Sequence, residues 1–320
     1  MKVLVTGGRS LIGAALVRRL AQRGDHVTVL QRRPAGLGCT EVLADVSDED
    51  AVLAAVTGHE VVVHLAARVG VTGTWSDFVR TNVDGTRSVV DACRAAGARR
   101  LVHVSSPSVA HGGDPLVGEG AGPAAPDRAR GHYTRSKALA ERVALGADGP
   151  DLAVLAVRPH LVWGPGDTQL VGRIVARARA GRLSLVGSGA ALVDTTYLPN
   201  AADALVAAVD ATAHGEPLVV SNGEPRPVAE LVTRICAAAG VTGPRRHVPY
   251  RVARLAGLLA EGVWGGLRRV DDPPMTRFMA EQLATAHWFD QRRTRQLLRW
   301  TPRVRLDHGF AELARSYGTS

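Results

Sequence analysis

Tyr133 and Lys137 are four residues apart in the segment GHYTRSKALAER, residues 131–142, which has the composition of a helix start. Positions i and i+4 share one face of a helix, so the phenol and the ammonium would lie side by side. A tyrosine with a pKa of about 10 is a poor acid or base near neutral pH, and a neighbouring cation lowers that pKa. The pair therefore has the chemistry of an activated proton donor. A surface tyrosine packed on a lysine stem has the same spacing, so other motifs must decide between the two interpretations.

A glycine-rich turn follows the first predicted strand. The segment KVLVTG is typical of a short buried strand, and LIGAALVRRLAQRG after it has apolar residues at helical spacing. Between them stands TGGRSLIG, Thr6 to Gly13, where the amides of a helix N-terminus bind phosphate. Gly7 permits the tight turn and Gly13 the close contact of helix and strand. The turn therefore predicts a dinucleotide site.

Ser10 stands where the pattern T-G-x-x-G-x-x-G expects its middle glycine. Serine is small enough for the backbone to approach a pyrophosphate, and its hydroxyl is able to donate to one. We expect the turn to bind the cofactor with this substitution in place.

The end of the second strand bears on which dinucleotide binds. An enzyme that uses NAD carries an acid there, about 20 residues past the glycines, to hold the ribose hydroxyls. This chain has Gln31, Arg32 and Arg33 instead, and Arg9 in the glycine turn is able to reach the same place. Arginine offers a bidentate fork to a 2′-phosphate. The sequence favours NADP, with NAD as the alternative, unless these arginines only face solvent.

Strands and helices alternate through the first half of the chain. Six predicted strands end near residue 162, the fifth is followed by a Gly/Pro-rich loop over 111–131, and WSDFVRTNVDGTRSVVDACRAAG predicts one long helix. This alternation predicts an α/β fold with a Rossmann-type, doubly wound parallel sheet over residues 1–162. Residues 163–320 predict a smaller, mostly helical substrate-binding region, of which about 190–213 returns to the Rossmann core.

Composition excludes several classes of function. The chain has 320 residues and a net charge of +9, but its arginines are scattered, so we expect no nucleic-acid partner. Cys39, Cys93 and Cys236 are far apart and lack metal-ligand spacing, so we expect reduced thiols and no metal. No secretory signal and no apolar run of about 18 residues is present. We expect a soluble, cytoplasmic protein.

Taken together, the motifs resemble those of the extended short-chain dehydrogenase/reductase family, the NAD-dependent epimerase/dehydratase superfamily, over essentially the whole chain. The matching segments are TGGRSLIG, ADV at 44–46, HLAA at 64–67, TNVDGT at 81–86, VSSPSV at 104–109, YTRSK at 133–137 and RPHLVWGP at 158–165. Their order and spacing are those of the family.

The resemblance implies a ketone–alcohol oxidoreductase and assigns roles. Tyr133 would be the catalytic acid/base, Lys137 would lower its pKa and hold the nicotinamide ribose, and Ser106 would bind the substrate oxygen, with Ser105 a rival for that role. The implied cofactor contacts, with those inferred above, are Gly7, Arg9, Ser10, Leu11, Ile12, Gly13, Arg32, Asp45, Val46, Leu65, Ala66, Ala67, Asn82, Val104, Tyr133, Lys137 and Pro159. Asp45 and Val46 would contact the adenine.

Two positions separate branches of the family. Members that act on nucleotide sugars carry an Asn where this chain has Leu161 and an Arg where it has Val193. Without that Arg a diphosphate loses a bidentate contact, so a nucleotide-sugar epimerase or dehydratase is the alternative, in which Arg173 and Arg177 would have to compensate. The chain is instead similar to the 3β-hydroxysteroid dehydrogenase branch, and within it to bacterial 2-alkyl-3-oxoalkanoate reductases. Both act on long apolar substrates.

The segment YRVARLAGLLAEGVWGGLRRV, residues 250–270, predicts an amphipathic helix with arginines at both ends. Such a helix lies on a membrane or a partner protein, or it covers the substrate pocket or the core. The sequence favours a cover over the pocket or the core. A homodimer is implied by the resemblance alone.

Overall fold

The structure is a computed structural model that describes residues 1–70, 72–266 and 276–318. The strands are β1 Lys2–Thr6, β2 His26–Gln31, β3 Thr40–Leu43, β4 Val61–His64, β5 Arg100–Val104, β6 Leu116–Glu119, β7 Ala153–Pro159, β8 Val162–Trp163, β9 Ser184–Val186, β10 Leu192–Val193, β11 Thr196–Tyr197, β12 Pro217–Val220, β13 Arg226–Pro227, β14 Arg246–Val248 and β15 His287–Phe289. The helices are α1 Leu11–Gln22, α2 Glu49–Val56, α3 Trp75–Phe78, α4 Gly85–Ala96, α5 His132–Leu145, α6 Val171–Arg179, α7 Leu198–Asp210, α8 Val228–Ala238, α9 Tyr250–Gly266, α10 Arg277–Ala284, α11 Arg292–Leu298 and α12 Leu306–Gly318.

Seven parallel strands form the main sheet, in the order β12-β7-β5-β4-β1-β2-β3. The chain winds outward from β1 in one direction through β2 and β3, and from β4 in the other direction through β5 and β7. Ligands of such sheets bind beyond the carboxyl ends of the strands, where the winding reverses. The predicted α/β doubly wound fold is confirmed, and its reversal point lies between β1 and β4.

Helices cover both faces of this sheet. On one face, Val3 of β1, Leu16 of α1 and Leu205 of α7 belong to one buried cluster. On the other face, Leu4 of β1 and Val89 of α4 belong to a second cluster. Strands buried on both sides need unbroken apolar runs such as VLV and VVV, which is the pattern that the sequence shows.

The predicted long helix that begins at Trp75 is interrupted. The side chain of Thr74 caps the short helix α3, and residues Val79–Asp84 then form a π-helical turn before α4 continues to Ala96. π-helical turns insert one residue into a helix and are frequent at functional sites. Here the turn carries Asn82 into the interior. The predicted loop over 111–131 also differs, because it contains β6, which pairs with β15.

The second half of the chain builds its own core and contributes to the first. Trp163, Ile235 and Phe310 pack together in a separate buried cluster. In contrast, α7 packs on α1 and β12 extends the main sheet beside β7. The boundary near residue 162 stays a prediction. Within the described residues, no helix is both long and apolar enough to cross a membrane. The end of the predicted amphipathic segment, residues 267–270, lies outside the described residues.

Candidate active site

Helix α5 holds Tyr133 and Lys137 in its first turns. Tyr133 lines a cavity that opens beyond the carboxyl end of the sheet. The side chain of Lys137 is buried, and its Nζ donates a hydrogen bond to the carbonyl oxygen of Val104, 2.7 Å away. Since Val104 is the last residue of β5, this bond fixes α5 against the strand end that leads into Ser105 and Ser106. The predicted contact residue Val104 thus holds the lysine through its backbone.

Burial changes the pKa values of both side chains. It raises the pKa of Tyr133 to about 12, and the lowering toward neutrality expected from Lys137 together with the cationic ring of the oxidised cofactor stays a prediction. Burial also lowers the pKa of Lys137 to about 8, although the carboxylate of Glu141 opposes the shift. A phenol that stays protonated at neutral pH is the form that donates a proton.

The choice of lysine at position 137 is itself a sequence signal. The chain contains 37 arginines and only two lysines, Lys2 and Lys137. Lysine changes its pKa readily on burial, whereas arginine stays charged and brings a wide planar fork. In a protein that otherwise uses arginine, the buried lysine marks a position where a compact cation is required.

Two serines of the described residues line the same cavity as the tyrosine. Ser106 and Ser108 both line the cavity that Tyr133 lines, and their hydroxyl oxygens are 3.0 Å apart. Ser106 also caps the short 3₁₀ helix Pro107–Ala110 by accepting from the amide of Ser108. The hydroxyl of Ser105 is buried and has no partner among the described residues. Ser105 does not line the cavity, so Ser106 is the better candidate, and Ser108 is a polar neighbour that the sequence did not single out.

The cavity beside these residues is large and apolar. Its volume is about 370 Å³, within the range of small-molecule sites. Leu161 and Val193, at which the resemblance implies an Asn and an Arg in nucleotide-sugar enzymes, both line it. Leu161 has a φ of 40°, in the left-handed region that leucine rarely adopts, so local strain presents this side chain to the cavity. None of the described residues that line the cavity is an arginine or a lysine.

A second cleft of about 460 Å³ runs along the glycine turn. The predicted cofactor residues that line it are Gly7, Arg9, Ser10, Arg32, Asp45, Val46, Leu65, Ala66 and Ala67. Gly7 has a φ of 75°, and a Cβ there would lie 2.8 Å from the backbone nitrogen of Ala66. A Cβ on Gly13 would lie 2.6 Å from the carbonyl oxygen of Gly7. The turn therefore has the close backbone packing that a dinucleotide cradle requires, and the residues fit such a cofactor.

Ser10 uses its hydroxyl within the protein. It caps α1 by accepting from the amide of Gly13 at 3.1 Å, and it donates to the carbonyl oxygen of Gly7 at 2.9 Å. Its proton is therefore engaged and not directed at a pyrophosphate. The serine replaces a glycine by stabilising the turn. The neighbouring predicted residues Leu11 and Ile12 form the first turn of α1 and do not line the cleft.

Arg32 lies at the rim of this cleft with 69 % of its side chain exposed. Its nearest acidic partner is Asp45, at a separation of 3.8 Å. Burial disfavours ionisation of Asp45, but hydrogen bonds from Ser47 and the charge of Arg32 outweigh it and lower the pKa. Gln31 is buried and donates to Glu41 at 3.0 Å. Arg32 is thus loosely held and free to turn toward a phosphate.

Asn82 connects three segments behind the cleft. Its Oδ1 accepts from the amide of Arg68, and its Nδ2 donates to the carbonyl oxygen of Arg68 and to the hydroxyl of Ser136. Both amide protons are used and the residue is buried, so Asn82 positions α5 and the chain after β4. Its neighbour Thr81 lines the cleft in its place. Pro159 ends β7 and lines neither cavity.

His64, the last residue of β4, links β1 and α4 through its two ring nitrogens. Its Nδ1 is 2.7 Å from the hydroxyl of Thr6, and its Nε2 is 3.1 Å from the hydroxyl of Thr86. Thr86 donates to the carbonyl oxygen of Asn82, so it accepts from His64, whose Nε2 carries the proton. Burial, aided by the charge of Lys137, lowers the pKa of His64 to about 3. The neutral imidazole is therefore part of the scaffold.

Three histidines in the apolar cavity were not predicted from the sequence. His111, His160 and His287 line it together with Tyr133 and are all buried. They come from three distant segments, so no residue spacing in the sequence indicates that they lie together. No group of three or more His, Cys, Asp or Glu side chains in the described part of the chain is arranged to hold a metal ion.

The comparison with known proteins agrees with this geometry. Residues 3–221 match the family described as NAD dependent epimerase/dehydratase family. The chain belongs to that family. The 2-alkyl-3-oxoalkanoate reductase of Stenotrophomonas maltophilia is 41% identical, over 99% of this chain and 99% of that protein. The 3-beta-hydroxysteroid dehydrogenase of Mycolicibacterium neoaurum is 28% identical, over 97% and 90%.

A solved structure of MoeE5 in complex with UDP-glucose and NAD has a TM-score of 0.76 with this chain at 26% identity, covering 100% of this chain and 99% of that one. The family and the branch predicted from the motifs are confirmed.

Proposed function

We propose that this protein reduces the ketone of a long-chain 2-alkyl-3-oxoalkanoic acid to a secondary alcohol, with NADPH as the reductant. The observation that carries the proposal is the apolar cavity beside Tyr133 and Ser106, with Leu161 and Val193 in its wall. Burying hydrocarbon there contributes roughly 25 cal/mol per Å² removed from water. A nucleoside diphosphate would find neither a lysine nor an arginine among the described residues of that wall.

Tyr133 is the proton donor in this proposal. The nicotinamide, when bound, supplies the hydride to the ketone carbon. As negative charge grows on the ketone oxygen, Tyr133 gives it the phenolic proton and the hydroxyl of Ser106 donates a second hydrogen bond. Because burial raises the pKa of Tyr133 to about 12, the phenol is protonated at neutral pH and is in the form that donates a proton.

Lys137 acts behind the tyrosine. Its ammonium is held by Val104 and lies in the interior, where a charge is weakly screened. That charge stabilises the phenolate left after proton transfer. The partner of Lys137 on the same helix face is Glu141, which is buried and paired with the equally buried Arg158 of β7. The pair ties α5 to β7, and the carboxylate of Glu141 opposes part of the burial shift on the pKa of the lysine.

The preference for NADP rests on Arg32, which is exposed at the cleft and only loosely paired with Asp45. Gln31 before it is neutral and already bonded to Glu41. A 2′-phosphate would meet the guanidinium of Arg32, with Arg9 and Arg33 also in the cleft wall. NAD remains the alternative that the cofactor assay below decides.

The test is the initial rate of NADPH oxidation with three substrate classes. We expect turnover of 2-alkyl-3-oxoalkanoic acids, with kcat/KM rising as the alkyl chains lengthen, and no turnover or thermal protection with UDP- or dTDP-sugars. Val193→Arg should lower the rate on the long-chain acid at least tenfold, since it places an unpaired charge against hydrocarbon. Leu192→Arg is the matched control, since Leu192 is exposed. Preference for a 3-ketosteroid would move the substrate to the other predicted class, and protection by nucleotide sugars alone would refute the proposal.

Helix α9 is the proposed site of peripheral membrane contact. Along one side, 50 to 61 % of each of the side chains Val252, Leu255, Leu259 and Val263 is exposed. Leu258 on the same helix is 46 % exposed. The helix packs on α10, whose Leu283 lines the substrate cavity. A Cβ on Gly257 would lie 2.6 Å from the backbone nitrogen of Arg277, so the two helices are in close contact. An apolar substrate would pass from a lipid surface to the cavity beside this helix.

Co-sedimentation with vesicles of anionic phospholipid tests this contact. The wild-type protein should bind, because exposed Arg251 and Arg254 lie on α9 near its apolar side chains. Leu259→Glu should abolish binding, whereas Leu53→Glu on α2, also exposed, should leave it unchanged. Equal binding of all three proteins would remove α9 from the proposal. A homodimer and a cytoplasmic location stay predictions from the sequence.

A further inference from the structure

Three imidazoles make one polar patch in the otherwise apolar cavity. His111 follows the 3₁₀ helix Pro107–Ala110, His160 follows β7, and His287 begins β15. All three are at most 7% exposed. Buried polar groups cost free energy unless they are hydrogen-bonded, so unpaired nitrogens in this patch need a partner that the protein itself does not provide.

The hydrogen bonds of His287 and His160 fix their tautomers. His287 Nε2 is 2.7 Å from the carbonyl oxygen of Gln282, which only accepts, so this nitrogen carries a proton. Neutral His287 then presents a lone pair at Nδ1, and His160 Nε2, 3.0 Å away, donates to it. The remaining nitrogen of His160, Nδ1, makes no hydrogen bond within the described part of the chain. It becomes a donor only when His160 takes up a proton.

His111 makes fewer hydrogen bonds than His160 and His287. Neither of its ring nitrogens has a hydrogen-bond partner among the described residues. Burial lowers its pKa and the charge of Arg130 acts in the same sense, while the carboxylates of Glu281, Asp114 and Glu119 oppose it. Glu281 is itself paired with Arg130. The lowered pKa favours neutral His111, but the three carboxylates ease its protonation beside an anion.

We infer that His111 and His160 bind the carboxylate of the substrate, which makes them the residues that select a β-keto acid over a neutral ketone. The inference rests on the proposed function, because it needs the ketone at Ser106 and Tyr133. In a 3-oxoalkanoic acid the carboxylate is two carbon–carbon bonds from the ketone carbon, so both groups must be bound in one cavity. Imidazole is the only side chain in the described wall that becomes cationic near neutral pH.

Binding is then coupled to proton uptake. The carboxylate enters as an anion, and one proton from solvent adds to His111 or to His160 Nδ1, so the buried pair is neutral overall. A neutral ketone or an ester needs no such proton. The pH at which this proton is taken up depends on the groups that face the patch. Around His111 these are Glu281, Asp114, Glu119 and Arg130, and around His160 they are the neighbouring imidazoles.

The test compares a 2-alkyl-3-oxoalkanoic acid with its methyl ester, which keeps the ketone and both alkyl chains. We expect kcat/KM for the acid to fall as pH rises from 6 to 9 and the ester to show no matching fall. In His111→Phe and in His111→Gln the ratio of kcat/KM for acid over ester should fall about tenfold or more, the usual size of a charge-assisted hydrogen bond. His26→Gln, at an exposed position, is the control and should keep the wild-type ratio.

The outcomes separate the two claims. Turnover of acid and ester with equal pH profiles, and with a ratio that neither His111 variant alters, would overturn the carboxylate site and leave the ketoreductase intact. Turnover of neither compound would overturn the proposed function itself. Because Gln fills nearly the volume of His without its charge, a stable His111→Gln protein keeps the test decisive if His111→Phe does not fold.

Discussion

Replacing Lys137 with methionine should raise stability while it destroys activity. Burial lowers the pKa of this lysine from 10.5 to about 8. At 1.36 kcal/mol per unit, carrying the charge costs the folded protein about 3 kcal/mol at pH 7. Losing the hydrogen bond to Val104 destabilises the variant by about 1 kcal/mol, which offsets part of that gain in stability. Lys137→Met should therefore unfold with a free energy about 2 kcal/mol larger than the wild type, and turnover should fall at least a hundredfold.

The free energy of unfolding should also depend on pH in a way that distinguishes the two proteins. Because the folded-state pKa lies below the unfolded value, the unfolded wild-type chain binds more protons between pH 8 and 10.5, and the wild type gains stability across that window. Lys137→Met has no such group, so its advantage at pH 7 should vanish by about pH 10.5. Urea unfolding followed by tryptophan fluorescence at both pH values measures this. Lys2→Met, at an exposed lysine, is the control and should change stability by less than about 0.5 kcal/mol. A Lys137→Met protein less stable than wild type at pH 7 would refute the reasoning.

Three further predictions concern the proton donor, the cofactor and the scaffold. Tyr133→Phe should lower turnover at least a hundredfold while NADPH still shifts the melting temperature as in the wild type; near-normal turnover would remove the phenol from the mechanism. Arg32→Glu should raise the KM for NADPH at least tenfold and that for NADH much less, and a wild type that already prefers NADH would contradict the role of the arginine. His64 has a pKa of about 3 when folded, so the unfolded state takes up its proton first and stability falls by about 1.4 kcal/mol per unit as pH drops below about 6.5. His64→Gln should reduce that slope by the same amount in urea titrations; an unchanged slope would mean that His64 is not buried neutral.

Local patterns predicted the parts of the site that one segment carries. Tyr133 and Lys137 share a helix, and Gly7 and Gly13 bracket one turn, so spacing alone placed them. The raised pKa of Tyr133 could not be predicted from its own segment, because it depends on burial, which distant elements of the chain create.

The remainder of the site depends on tertiary contacts. His111, His160 and His287 meet only because β15 and the loop after β5 converge on the cavity. The π-helical turn that buries Asn82 leaves no mark in the hydrophobic periodicity, so one continuous helix was the natural expectation. The hydroxyl of Ser10 is used to cap α1, and no sequence rule decides between that role and a bond to phosphate.

In the proposed reaction, Tyr133 protonates a ketone that receives a hydride within the apolar cavity. Its most direct test uses NADPH deuterated at the transferred position and a long-chain 2-alkyl-3-oxoalkanoic acid, with the product analysed by mass spectrometry. We expect one deuterium at the carbinol carbon of the product with the wild-type protein and at least a hundredfold less product with Tyr133→Phe. No deuterium transfer to this substrate by the wild type, or equal transfer by both proteins, would contradict it.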